Sequence, residues 1–204
     1  MRILTITIPE AEERRELFTK DYPSGLGDFR FFVGKGKGDV VPPCWWVSKR
    51  THWALVENYI AIFELFGSED LLIFEDDCTF VSGFLEKYND FMNNVPEDAD
   101  LIYLGILNRK PPVPLRNGII QATDGLYSHA IIYKRDYIPF LLKCLKAPFW
   151  IGTHGYDERL AFLQYHSLLK AYAPEEPLCG QWAGYSFITE NERPAFLHTG
   201  DRKP

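Results

Sequence analysis

The stretch LLIFEDDCTF, residues 71 to 80, constrains the fold of this chain more than any other. Four consecutive apolar residues read as a buried strand, and they run without a break into Glu75, Asp76 and Asp77 before apolar character returns at Phe80. If the strand is central, the three carboxylates emerge at its carboxyl end, where an open α/β sheet places its ligands. Side chains alternate along an extended segment, so Glu75 and Asp77 are expected on one side and Asp76 on the other. Two same-side carboxylates in a cleft repel strongly unless a cation sits between them or one is protonated. A hard divalent cation, Mn²⁺ or Mg²⁺, held by one or two carboxylates and a substrate's phosphates, is the natural partner, which suggests a nucleotide diphosphate. A solvated acidic turn capping the next helix is the blander alternative, and the apolar flanks on both sides weigh against it.

The rest of the chain alternates strand-like and helix-like runs. RILTITI (residues 2 to 8) predicts a first strand, and Pro9 opens a charged helix over about residues 10 to 20. DFRFFVGKGKGD predicts a second short strand running into a Gly-Lys loop that lacks the GKS or GKT ending of a P-loop. A helix is expected from Thr51, with Trp53, Val56, Tyr59, Ile60 and Phe63 at helical spacing and Gly67 placed to end it. A second starts at Ser82 and stops at Pro96. ADLIYLG, GIIQA and HAIIYK read as further strands, with a helix over 136 to 146 and another in the second half of PFWIGTHGYDERLAFLQYHSLL. NRKPPVPLRNG, with three prolines, reads as a loop long enough to bind something, and the tail from Pro174 reads as turn-rich. The alternation predicts an α/β fold whose central sheet, flanked by helices, is mixed and mostly parallel, formed as one domain over residues 1 to 204.

Bulk properties narrow the function classes. A net charge of −6 argues against a nucleic-acid binder, which needs a basic face. The four cysteines show no CxxC pair, so neither a zinc cage nor a dense disulfide framework is expected. The first apolar run is too short for a signal peptide core or a membrane span, and no later one reaches spanning length. The expectation is a cytoplasmic protein with at most peripheral membrane contact, or a catalytic domain of a longer chain. With 15 Phe, 11 Tyr and 5 Trp there are rings to spare for a groove, and Trp45, Trp46 and Trp53 could form a stacking wall for a sugar, although core packing is the simpler role for at least two of them.

LLIFEDDCTF, preceded by THWALVENYIAIF and followed by DADLIYLG, resembles the lipooligosaccharide-type glycosyltransferases, glycosyltransferase family 25 and its relatives, which have the GT-A nucleotide-sugar fold. ITIPEAEERRELF is similar to that family's first strand and Arg-containing helix, and GLYSHAIIYKRDYIPFLL to a later strand and helix. The acidic run is the specific part. The resemblance implies a GT-A fold in which Asp77 binds Mn²⁺, Glu75 and Asp76 lie near the ribose and donor sugar, Thr7 and Ile8 grip the base, and Arg14 or Arg15 approaches the uracil or the phosphates of a UDP-sugar. For both arginines a solvated helix face is the slightly favoured alternative. His198, in FLHTGD, matches a late metal-ligating histidine of many GT-A enzymes. The segment 107 to 118 and the short tail depart from the pattern, which leaves the acceptor open.

GYDERLAFL places Asp157 and Glu158 at the start of a helix, where the dipole and free N–H groups hold a carboxylate ionised. Capping by Asp157 is the simple role. The resemblance implies instead that Asp157, or Glu158, deprotonates the acceptor hydroxyl while the metal stabilises the departing diphosphate. Of the other histidines, His52 and His129 suit capping or donor contact, His154 the acceptor, and His166 a helix surface. The expected activity is transfer of a hexose from a UDP-sugar to a hydroxyl of a glycan or glycoprotein. The alternatives are a nucleotidyltransferase on a related fold, disfavoured because PEAEERRE lacks its Gly-rich loop, and an inactive sugar- or nucleotide-binding module.

Overall fold

The β-branched run RILTIT fits a pleated surface and forms β1 (Arg2–Thr7). The computed structural model describes residues 1–148, 150, 155–186 and 191–193. The chain continues as α1 (Glu12–Asp21), β2 (Phe29–Val33), α2 (Arg50–Phe66), β3 (Leu71–Glu75), β4 (Cys78–Phe80), α3 (Phe84–Met92) and β5 (Leu101–Tyr103). Its second half adds β6 (Leu107–Asn108), β7 (Val113–Pro114), β8 (Ile119–Ala122), β9 (Gly125–Leu126), β10 (Ala130–Tyr133), α4 (Ile138–Lys146), α5 (Tyr156–Tyr165), β11 (Ala171–Pro174), β12 (Cys179–Gln181), β13 (Gly184–Ser186) and β14 (Asn191–Arg193).

Eight strands form the main sheet in the order β2-β1-β3-β10-β5-β11-β8-β7. β1 runs parallel to both β2 and β3, whereas β10 runs antiparallel to β3 and β5. The fold is therefore the expected mixed α/β sheet flanked by helices, parallel in its first half. Two expectations needed correction. The proline-rich segment is not loop throughout, since Val113 and Pro114 pair with β8 at the sheet edge, where a missing N–H is tolerated. The stretch beyond Pro174 is also more ordered than its composition suggests: β12 pairs with β4 and β13 with β14.

Strand alternation divides the interior into two cores. Leu71 and Ile73 join Leu4, Tyr103 and Tyr133 under α2, α4 and α5, while Leu72 and Phe74 face Phe18 of α1 and Phe84, Tyr88 and Phe91 of α3. This is why LLIF contains no polar position: β3 has helices on both faces. Right-handed crossovers explain the arrangement. From β1 the chain crosses by α1 to β2 on one side, then returns by α2, on the other face, to β3 on the opposite side of β1. The reversal makes the carboxyl ends of β1 and β3 a topological switch point, where the connections leave in opposite directions and a crevice opens.

Candidate active-site cleft

The crevice at this switch point is a cleft of about 510 Å³, counting its open mouth. Ile6, Thr7 and Ile8 at the end of β1 form one wall, the run Glu75-Asp76-Asp77 the other, and Arg14 reaches across from α1. Leu55 and Asn58 of α2 and Gln181 of β12 contribute further lining. The fold thus brings Thr7, Ile8, Arg14, Glu75, Asp76 and Asp77 together at one point.

The three carboxylates do not alternate as an ideal strand would. β3 ends at Glu75, and the turn into β4 redirects the next two residues. Asp76 accepts a hydrogen bond from Thr7 Oγ1 at 2.5 Å and an ion pair from Arg14 Nε at 3.2 Å. Asp77 pairs with the terminal nitrogen of the same guanidinium, and its other oxygen accepts a long bond of 3.3 Å from Gln181 Nε2. The neighbouring strand steadies this turn, with Trp182 N donating to the Asp77 carbonyl at 2.8 Å. Glu75 instead accepts from Ser128 Oγ at 2.6 Å.

These surroundings set the charges. Burial, reinforced by Asp77, pushes Glu75 up to about 8, the Ser128 bond only partly opposing it. Burial also pushes Asp76 up to about 6, although Arg14 and Thr7 act in the opposite sense. Burial works against the Arg14 charge, but the three carboxylates, Asp77 foremost, outweigh it and raise its pKa. Arg14 is therefore no solvated helix residue. Arg15 is tied to the end of β1, donating to the Ile8 carbonyl at 2.6 Å.

Asp157 sits in the first turn of α5, as the sequence indicates, but not as the cap itself, since Gly155 holds that position. Its Oδ1 accepts from the backbone N–H of Glu158 at 3.0 Å and its Oδ2 from that of Tyr127 at 3.5 Å. Burial raises its pKa despite these bonds. Its charge acts on Glu75 and raises the proton affinity of that carboxyl, although Asp157 does not itself line the cleft. Tyr127 holds φ at +75°, a left-handed conformation uncommon for a side chain of this size. Glu158 follows Asp157 in the same turn and is half-buried.

The remaining expectations divide. Trp45, Trp46 and Trp53 pack on one another, and Trp46, Trp53 and Trp150 surround the guanidinium of the buried Arg159. They close the core beside α5 and do not line the cleft, so the sugar-wall expectation is replaced by packing. His129 is fully buried with Nε2 3.4 Å from the Cys179 carbonyl oxygen, and His166 lies exposed at the end of α5. His154 and His198 lie outside the described residues. Ser128, Gln181, Asn58 and Tyr127 were not anticipated. The sequence holds one hint of them: Asn58 interrupts the apolar face of α2 and is buried there, bonded to Lys35 N at 2.7 Å.

As to a divalent cation, the cleft offers hard oxygen donors that already gather around a positive group. Among the described residues no three His, Cys, Asp or Glu side chains are grouped to form a cage. Mg²⁺ and Mn²⁺ commonly need only one or two carboxylates when substrate phosphates complete the shell, so Asp77 at the rim fits such an ion.

No protein-family model matches the chain, and no curated protein matches its sequence. Solved structures are similar in fold. A glycosyltransferase involved in the glycosylation of the major capsid of PBCV-1 aligns over 93% of this chain and 97% of its own, with a TM-score of 0.54 and 10% identity. A197 from STIV aligns over 100% and 97%, with a TM-score of 0.48 and 14% identity. A UDP-glucose pyrophosphorylase complexed with UDP-glucose aligns over 85% and 72%, with a TM-score of 0.48 and 10% identity. The architecture is GT-A-like. Among the described residues no helix is long and apolar enough to cross a membrane.

Proposed function

We propose that the protein transfers a hexose from a UDP-sugar to a hydroxyl of a glycan or glycoprotein acceptor in a metal-dependent reaction. One observation carries the reading: three carboxylates and a guanidinium meet at the switch-point cleft of a GT-A-like sheet, with the charge of Asp157 acting on Glu75. In this reading Thr7 and Ile8 border the base, and Glu75 and Asp76 lie toward the ribose and donor sugar. Mn²⁺ or Mg²⁺ held at Asp77, with His198 as a proposed second ligand, would neutralise the departing diphosphate when bound. Asp157 receives the acceptor's proton as its oxygen attacks the anomeric carbon. Burial suits it to this role by raising its proton affinity toward working pH. Glu158 is the alternative base.

Isothermal titration with UDP, GDP and CMP, each with Mn²⁺ and with EDTA, tests the donor class. UDP is expected to bind only with metal, and no binding by any nucleotide overturns the reading. Asp77→Asn is expected to lower UDP release from a UDP-sugar by at least about 100-fold while leaving the circular dichroism spectrum unchanged. Binding of UDP without release from any UDP-sugar indicates a binding module. Pyrophosphate release from UTP and a sugar phosphate indicates nucleotidyl transfer instead.

A further inference from the structure

We propose that Arg14 is an exchangeable counter-ion. It pairs with Asp76 and Asp77 as seen here, and it moves its terminal nitrogens to the diphosphate of a bound nucleotide, leaving Asp77 open to a divalent cation. The proposal deepens the nucleotide-sugar reading and rests on it.

The geometry separates the two ends of the guanidinium. Its Nε faces Asp76 Oδ1 at 3.2 Å, and Asp76 is itself fixed by Thr7 at 2.5 Å, so this end has a rigid partner. Its terminal Nη2 pairs closely with Asp77, whose other oxygen accepts from Gln181 Nε2 at 3.3 Å. The planar fork moves as a unit, and turning about the Cδ–Nε bond swings Nη2 off Asp77 while the Nε atom stays beside Asp76. Both side chains also reach the cleft surface, at 21% exposure for Arg14 and 17% for Asp77, and both line it.

Charge gives the exchange its direction. Asp76 and Asp77 both pair with the Arg14 guanidinium, so an arriving diphosphate adds negative charge that this one group does not balance. A second cation is needed. A Mg²⁺-like ion sits about 2.1 Å from a carboxylate oxygen, and a guanidinium nitrogen already on that oxygen would lie within like-charge contact of it. Arg14 and the ion thus compete for the Asp77 carboxylate. The diphosphate relieves the competition by giving Arg14 a second partner, since a planar guanidinium fits phosphate as well as it fits carboxylate. The metal and the nucleotide are then expected to bind cooperatively, each weakly without the other.

Mn²⁺ alone, titrated into the protein and followed by the paramagnetic resonance signal of the free ion, tests the competition without nucleotide or turnover. Arg14→Met is expected to bind Mn²⁺ at least about tenfold more tightly than the native protein, and to bind UDP at saturating Mn²⁺ at least about tenfold more weakly. Arg14→Lys, a point charge that cannot bridge two carboxylates, is expected between the two and serves if the Met variant fails to fold. Equal Mn²⁺ affinity in the native and variant proteins, or no Mn²⁺ binding by any of them, overturns the exchange. Tighter Mn²⁺ binding in Arg14→Met with no UDP binding even by the native protein overturns the nucleotide-sugar reading and leaves the competition at Asp77 standing.

Discussion

At Glu75 burial and charge act in the same sense. Its carboxyl is pushed from 4.5 up to about 8, and Asp76 is pushed from 3.8 up to about 6. An acid whose folded pKa exceeds its unfolded value holds its proton more tightly in the folded chain. Its contribution to stability is complete below the unfolded value and is lost as pH rises through the folded one. The melting temperature without added metal is therefore expected to fall between about pH 5 and 8, and Glu75→Gln, which carries no titrating proton, is expected to flatten that fall. Calorimetry of both proteins over this range checks it, and parallel slopes would show that Glu75 does not titrate there. The carboxylates themselves were legible, because apolar flanks around three adjacent acids are rare without a reason. Arg14 was not. In EERRELFTKD only Phe18 is buried, so the periodicity could not say which arginine turns toward the sheet.

Among the elements, α5 matters most for chemistry because it carries Asp157. Its first residue, Tyr156, stacks on Tyr59 of α2 with centroids 3.7 Å apart and rings within 3° of parallel, and its hydroxyl donates to that of Tyr133 at 3.1 Å. Gln164, near the other end, donates to the Tyr103 hydroxyl at 2.9 Å and accepts from Gly125 N at 2.8 Å. These contacts set where the helix begins, and hence where Asp157 points. Tyr156→Phe is expected to cost about 1 kcal/mol through the lost hydrogen bond. Tyr156→Ala is expected to cost about 3–5 kcal/mol through the cavity it leaves. Denaturant unfolding measures both, and near-equal values would mean that the ring stack contributes little. The sequence reading located this helix but not its orientation. Arg159 and Gln164 are buried where polar residues predict a solvent face, because their partners come from α4, β5 and β9.

Across the whole molecule, stability is expected to follow the order of strands. β1, β3, β10 and β5 lie inside the eight-stranded sheet, whereas β2 and β7 are its edges. Amides of the inner strands are expected to exchange with solvent slower than those of β7 by at least about two orders of magnitude, since inner strands open only with the whole sheet. Native-state hydrogen exchange measures this, and uniform protection would contradict it. The sequence alone determined the class of fold, because the periods that separate strand from helix are local and repeat along the chain. It also determined that LLIF would be buried and would deliver three carboxylates to a strand end. Only the tertiary structure decided that Asp76 and Asp77 share Arg14, that Ser128 attends Glu75, that Asp157 acts on the same cluster and that the tryptophans close a core. Those are contacts between segments far apart in the chain. Nothing in the local pattern of either segment encodes its partner; the crossover that brings β1 beside β3 does.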